Sequence, residues 1–236
     1  MGKYPWLVAL WRREIGRQPS EYYELRGCGG SIIASRFVLS AAHCLFLTRK
    51  ANNKDIVYKE LTKDELAIRV GLHCLNQECV TGEEMFKNVR RINKHYEYRQ
   101  QLNQPRWRHG FDIVIFELED RLDLNKFTPV CLPRHSEGIR FDGKTITLVG
   151  WGSDGRDLSV PTNEPYEVDV TVATTDACLL SNQNPNIMCA GQTEDRKGAC
   201  KVSLNYNITI YITSIYHLTH ELMASKAPTG TQLRIY

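Results

Sequence analysis

Two residues in this chain are placed where they could move a proton. His43 lies in Leu39-Ser40-Ala41-Ala42-His43-Cys44, with small residues before it and a cysteine directly behind it. It is one of seven histidines, so two readings stand: a structural or solvated imidazole, or a general base. A base must be held rigidly, because a displacement of about 1 Å costs roughly 100-fold in rate. Cys28, in Cys28-Gly29-Gly30-Ser31, precedes it. Two strands joined by a turn could bring Cys28 and Cys44 within disulfide reach, and such a bridge would fix the turn that carries His43. Asp112 opens the run Asp112-Ile-Val-Ile-Phe116. A charge at the head of a buried apolar strand is costly unless paired. Asp112 therefore either caps the strand at a loop edge or serves as the acid that holds an imidazole in one tautomer and stabilises its cation.

The elements that would have to position these groups are short strands. Leu7–Trp11, Ser31–Leu39, Leu66–Gly71, Asp112–Leu118, Thr145–Trp151 and Glu167–Ala173 all read as strands between turn signals. In the last, Val168, Val170 and Val172 alternate with Asp169 and Thr171, the period of a half-buried strand. Helix signals are few: Ser40 as the cap of a short turn through Cys44, and a turn over Thr175–Leu180. Arg49–Lys63 and Arg99–Arg108 are polar, lack periodicity and read as long surface loops. The class expected is all-β, a sandwich or barrel.

Composition closes off other classes. The chain has 236 residues, 42% hydrophobic and 24% charged, which suits a globular protein with a core. A net charge of +3 without a basic stripe interleaved with aromatics argues against nucleic acid as a partner. No apolar run approaches a membrane span. No signal peptide is legible, and Met1-Gly2 lacks the rest of an acylation motif. The eight cysteines, dispersed and without a paired C-x-x-C set, point instead to an oxidising compartment, which suggests an incomplete N-terminus.

Several motifs then occur in order: Tyr4-Pro5-Trp6-Leu7-Val8, Cys28-Gly29-Gly30-Ser31, Ser40-Ala41-Ala42-His43-Cys44, Asp112-Ile-Val-Ile-Phe116, Val130-Cys131-Leu132-Pro133, Val149-Gly150-Trp151-Gly152 and Met188-Cys189-Ala190-Gly191. Together they resemble the chymotrypsin/trypsin family of serine endopeptidases over residues 4–200. The resemblance implies a chymotrypsin-like double β-barrel with a cleft between the barrels, His43 as general base and Asp112 as its orienter. It also implies Cys28–Cys44 and Cys178–Cys189 disulfides, and no cofactor. Protein or peptide substrates and protease inhibitors would be its partners, and the extracellular space its location.

The departures from that family pattern fall at the nucleophile. The family has Gly-Asp-Ser-Gly-Gly-Pro just after the cysteine matched by Cys200; here Lys201-Val202-Ser203-Leu204-Asn205 follows. Leu204 stands at the nucleophile position, Ser203 at that of the aspartate and Val202 at that of the oxyanion-hole glycine. Ser203 lacks the glycines of a tight donor turn. Ser153 matches the strand-end turn that the family has there, and Cys44 adjoins His43. Gly198 takes the place of the pocket residue that sets charge preference, which argues against Arg/Lys specificity. Residues 201–236 read as an unrelated tail after a domain of residues 1–200 whose second barrel is incomplete, with the family's Ile-Val-Gly-Gly start also missing. The expectation is a family member that keeps the base and its acid but does not hydrolyse peptides, a truncated isoform; the alternative is a non-catalytic pseudoprotease that binds a protein partner.

Weaker signals remain. Cys74 and Cys79, with His73 alongside, read as a small extra disulfide in a surface loop, a metal site being the other reading. His217-Leu-Thr-His220-Glu221 has the wrong spacing and order for a zinc protease. Asn207-Ile-Thr209 is a glycosylation sequon. Cys131 and Cys200 are left without assigned partners.

Overall fold

The computed structural model describes residues 3–14, 22–51, 54–75, 84–100, 111–132, 142–152, 162–174 and 190. Ten strands dominate them: β1 (Leu7–Glu14), β2 (Tyr22–Ala34), β3 (Phe37–Ser40), β4 (Phe46–Ala51), β5 (Lys54–Glu60), β6 (Leu66–Val70), β7 (Met85–Lys94), β8 (Val114–Leu118), β9 (Thr145–Gly150) and β10 (Tyr166–Thr171). One short helix, α1 (Tyr96–Gln100), follows β7. The expected all-β class is what forms.

Six strands close into an antiparallel barrel in the order β1-β2-β3-β8-β7-β6. Closure leaves no unpaired edge. Alternation puts Val8, Leu10, Ile32, Ile68 and Phe116 into the barrel interior, each at most 1% exposed. Leu39, Ile113 and Ile115 form a second buried cluster, with Ile33 and Phe37 against it. The β3–β8 pair is thus covered on both faces, which explains why Ile113-Val-Ile-Phe116 is apolar without a break. The pair β9–β10 forms a separate two-stranded ribbon, as does β4–β5.

Glycines set the approach of β2 to its neighbours. Gly27 has φ +65° and lies in the bulge that shifts the β1–β2 register between Leu10 and Trp11. At Gly30 a Cβ would lie 2.8 Å from the Leu39 carbonyl oxygen, with Val38 and Val8 methyls at 3.1 Å. The strand can pass this close to β3 only without a side chain there.

Three sequence expectations are corrected. Ser31–Leu39 is not one strand but the end of β2, a turn at Ser35-Arg36 and β3, with Ala34 paired to Phe37. Arg49–Lys63 is mostly a hairpin, β4 paired with β5 from Phe46↔Glu60 to Ala51↔Lys54. Ser40 does not cap the turn after β3: the residue in the cap position is Ala41, without a side-chain hydrogen bond. The Ser40 hydroxyl instead donates to the Gly29 carbonyl at 2.8 Å, tying the end of β3 to β2. β7 is an additional strand, and Thr175–Leu180 lies outside the described residues.

Candidate functional site

The site begins with strand register. Ser40, the last residue of β3, pairs with Val114, the first of β8. In an antiparallel pair, the chain leaving one strand lies beside the chain entering the other. Residues just after Ser40 and just before Val114 therefore meet, and these include His43 and Asp112. After β3 the chain winds into a 3₁₀ turn over Ala42–Leu45. Ala41 and Ala42 are fully buried, so larger side chains would not fit there, and His43 is the residue of the turn left half-buried. Cys44, 1% exposed, is bonded to Cys28 with the two Cα atoms 6.2 Å apart. The disulfide locks the turn from below. Closing a loop of about 15 residues restricts the unfolded chain by about 3 kcal/mol in the chain-entropy account.

Asp112 engages His43 at two points. The His43 backbone N–H donates to Asp112 Oδ1 at 2.7 Å, and His43 Nδ1 lies 2.8 Å from Oδ2. The carboxylate accepts both bonds, which puts the imidazole proton on Nδ1 and leaves the lone pair on Nε2. The aspartate side chain is 15% exposed and the imidazole 30%. Such an arrangement can accept a proton at Nε2 and stabilise the resulting cation through Asp112. The nearest polar atom recorded at Nε2 is Cys44 Sγ at 3.7 Å, an oxidised sulfur with no proton to give.

Asp112 follows a strained residue. Phe111 has φ +61°, left-handed for a residue with a Cβ, a conformation that costs about 1–2 kcal/mol. The Ile113 N–H donates to the Phe111 carbonyl at 2.7 Å, closing a three-residue turn with Asp112 at its centre. Nothing in the sequence pattern signalled this turn: it contains neither glycine nor proline.

The β4–β5 hairpin starts directly behind His43 and is fixed at its base. The Lys94 ammonium, on a side chain 4% exposed, pairs with Glu60 and sits 4.7 Å from the centre of the Phe46 ring. Phe46 packs against the buried Tyr98 of α1 at 5.9 Å. Just past β5, burial pushes the Glu65 carboxyl up. Bonds from Lys59 and from the Thr62 amide and hydroxyl outweigh it and hold the group below the ordinary glutamate range.

Other sequence candidates are placed as follows. Cys74 is disulfide-bonded, and Cys79 lies outside the described residues. His73, Cys74 and Glu164 bring ligand-type atoms within 4.8 Å of one another, as do Cys28, His43 and Cys44. In both groups the cysteines are oxidised, so neither offers a thiolate to a metal. Cys131 is a free, exposed thiol. Cys178, Cys189, Gly198, Cys200, Ser153, Ser203 and Leu204 lie outside the described residues, as do residues 207–221. No helix among the described residues is long and apolar enough to cross a membrane.

Comparison with known proteins adds to this geometry. The family model described as Trypsin matches residues 1–202. A venom protease of Bombus pensylvanicus is 28% identical over an alignment covering all of this chain and 91% of that protein. Mannan-binding lectin serine protease 1 of Mus musculus is 27% identical over 84% of this chain and 26% of its own length. The clotting factor G beta subunit of Tachypleus tridentatus is 25% identical over 84% of this chain and 59% of its own length.

Proposed function

The chain belongs to the trypsin family of serine proteases, and on that premise we propose that His43 and Asp112 are its general base and orienting acid, acting on protein or peptide substrates in a form that supplies a serine nucleophile. The observation that carries this reading is the two-point bond between the Asp112 carboxylate and His43. The β4–β5 hairpin beside His43 would narrow which substrates reach it. The disulfide at Cys28–Cys44 and the bonded Cys74 support an extracellular location.

The chain as it stands carries Leu204 where the family places the nucleophile and Val202 where it places an oxyanion-hole glycine. Loss of the serine alone costs about 10⁶ in kcat in a serine protease. The 236-residue chain is therefore expected not to hydrolyse peptide bonds. The assay is turnover of a peptide library by the purified chain: specific hydrolysis that disappears in His43→Ala would overturn the prediction. A second reading, a pseudoprotease that binds a protein partner, is favoured by the closure of the barrel, whose six strands all lie between Leu7 and Leu118.

A further inference from the structure

His95 grips the chain on both sides of Asp112. Its backbone N–H donates to the carbonyl of Ile113, the residue after Asp112, at 3.1 Å. Its ring lies 4.5 Å from the ring of Phe111, the residue before Asp112, and within 7° of parallel. Tyr96 stacks on the imidazole as well, at 4.9 Å and 23°. The Glu97 N–H donates to His95 Nδ1 at 3.3 Å, which sets the orientation of the ring. Phe111 holds a φ of +61° that a residue with a Cβ rarely adopts. Released, Phe111 would relax to negative φ, and the peptide leading into Asp112 would swing with it.

We propose that His95 is a positioning residue for the His43–Asp112 couple: its stacked ring keeps Phe111 in the left-handed conformation and so sets the direction in which the Asp112 carboxylate faces His43. The assignment rests on the reading of His43 and Asp112 as base and orienter. Its action is indirect: among the described residues the His95 ring meets Phe111, Tyr96 and Glu97 and not His43.

The test needs no nucleophile. The Nδ1 proton of His43, bonded to a carboxylate, gives a low-field proton resonance in NMR that reports this hydrogen bond directly. The full chain is expected to show it. His95→Ala removes the ring but keeps the amide bond to Ile113, and the resonance is lost while circular dichroism remains that of the folded parent. His95→Phe restores the stack and returns the resonance. His95→Leu fills the space without a stacking ring, and the resonance is lost there too. An unchanged resonance in folded His95→Ala overturns the proposal, and if that variant does not fold, an unchanged resonance in folded His95→Leu does so. A parent chain without the resonance removes the couple itself, and with it both the proposed function and the role of His95.

Discussion

At the residue scale, the orientation of one imidazole depends on which atoms of Asp112 can accept a hydrogen. The carboxylate accepts from the His43 backbone N–H and from Nδ1 with different oxygens. Asp112→Asn keeps the shape but leaves one oxygen and one NH₂ group for those two positions. The oxygen best serves the backbone N–H, which cannot give up its proton. The amide NH₂ then faces Nδ1 and can only donate. The expected result is a switch of His43 to the Nε2–H tautomer, read from the ¹⁵N shifts of its two ring nitrogens, with Nε2 no longer able to take a proton. Nitrogen shifts unchanged from those of the parent would show that Asp112 does not set the tautomer. The pairing of His43 with Asp112 was implied by the family resemblance; the local settings, a small-residue turn closed by a cysteine and the head of an apolar strand, restricted each residue but left its role open. His95 was not legible, since Phe111 comes beside it only through the register of β7 with β8, and the left-handed Phe111 follows no residue-type rule.

At the element scale, the β4–β5 hairpin depends on a buried cation. Lys94 is 4% exposed, whereas its partner Glu60 is 46% exposed. Replacing the lysine by methionine removes the charge and its partner's obligation together and leaves an apolar stem over the Phe46 ring, a change expected to be near neutral. Removing Glu60 instead leaves the ammonium buried with only the ring to stabilise it. Glu60→Ala should therefore cost about 1–3 kcal/mol, and the urea midpoints of the two variants would be compared. A Lys94→Met variant as destabilised as Glu60→Ala would refute this account of the pin. The hairpin escaped the sequence reading because neither Phe-Leu-Thr-Arg-Lys-Ala nor Lys-Asp-Ile-Val-Tyr-Lys-Glu shows an apolar alternation. The available sequence signal was Asn52-Asn53, two residues of a turn-forming type between the two runs. β7 was missed for a different reason. Its register against β8 slips by one residue between Val89 and Arg91, so Val89 and Ile92 stand three apart, and a period of two is no longer visible. The turn between β2 and β3 escaped because Ser35-Arg36 contains no glycine, proline or asparagine. The first barrel was legible wherever one strand alternates or is covered on both faces, as in β1, β6 and β8.

At the scale of the whole molecule, the β9–β10 ribbon is tied to the rest by polar contacts. The Leu75 N–H donates to the Asn163 carbonyl at 2.9 Å, and Trp151 Nε1 donates to the His73 carbonyl at 3.1 Å. The ammonium of Lys3 and the hydroxyl of Tyr4 both reach Glu167 on β10. These bonds, from Lys3 first and then Tyr4, hold the Glu167 carboxyl below the ordinary glutamate range. Conversely, the bond to Glu167 raises both the Lys3 ammonium and the Tyr4 hydroxyl. A carboxyl that is depressed in the folded state contributes stability above its unfolded value, near 4.3, and loses that contribution as the pH falls through the folded value. The raised groups contribute below about 10 and lose that contribution as the pH climbs through their folded values. The Glu167 part of the tie is thus complete between these limits and weakens in acid. Glu65, also depressed, weakens in the same direction, but the barrel it borders keeps an apolar core and the Cys28–Cys44 bond, neither of which titrates. The ribbon should therefore open before the barrel when the pH drops below 4. Hydrogen exchange, corrected for the intrinsic pH dependence of the rates, would show Thr145–Gly150 and Tyr166–Thr171 losing protection while Leu7–Leu10 and Leu66–Val70 retain it. Because Lys3 and Glu167 are exposed, added salt should narrow the difference already present near neutral pH. Loss of protection in both regions at one pH would mean that ribbon and barrel unfold as a single unit, and that the tie through Glu167 does not govern how the chain responds to acid.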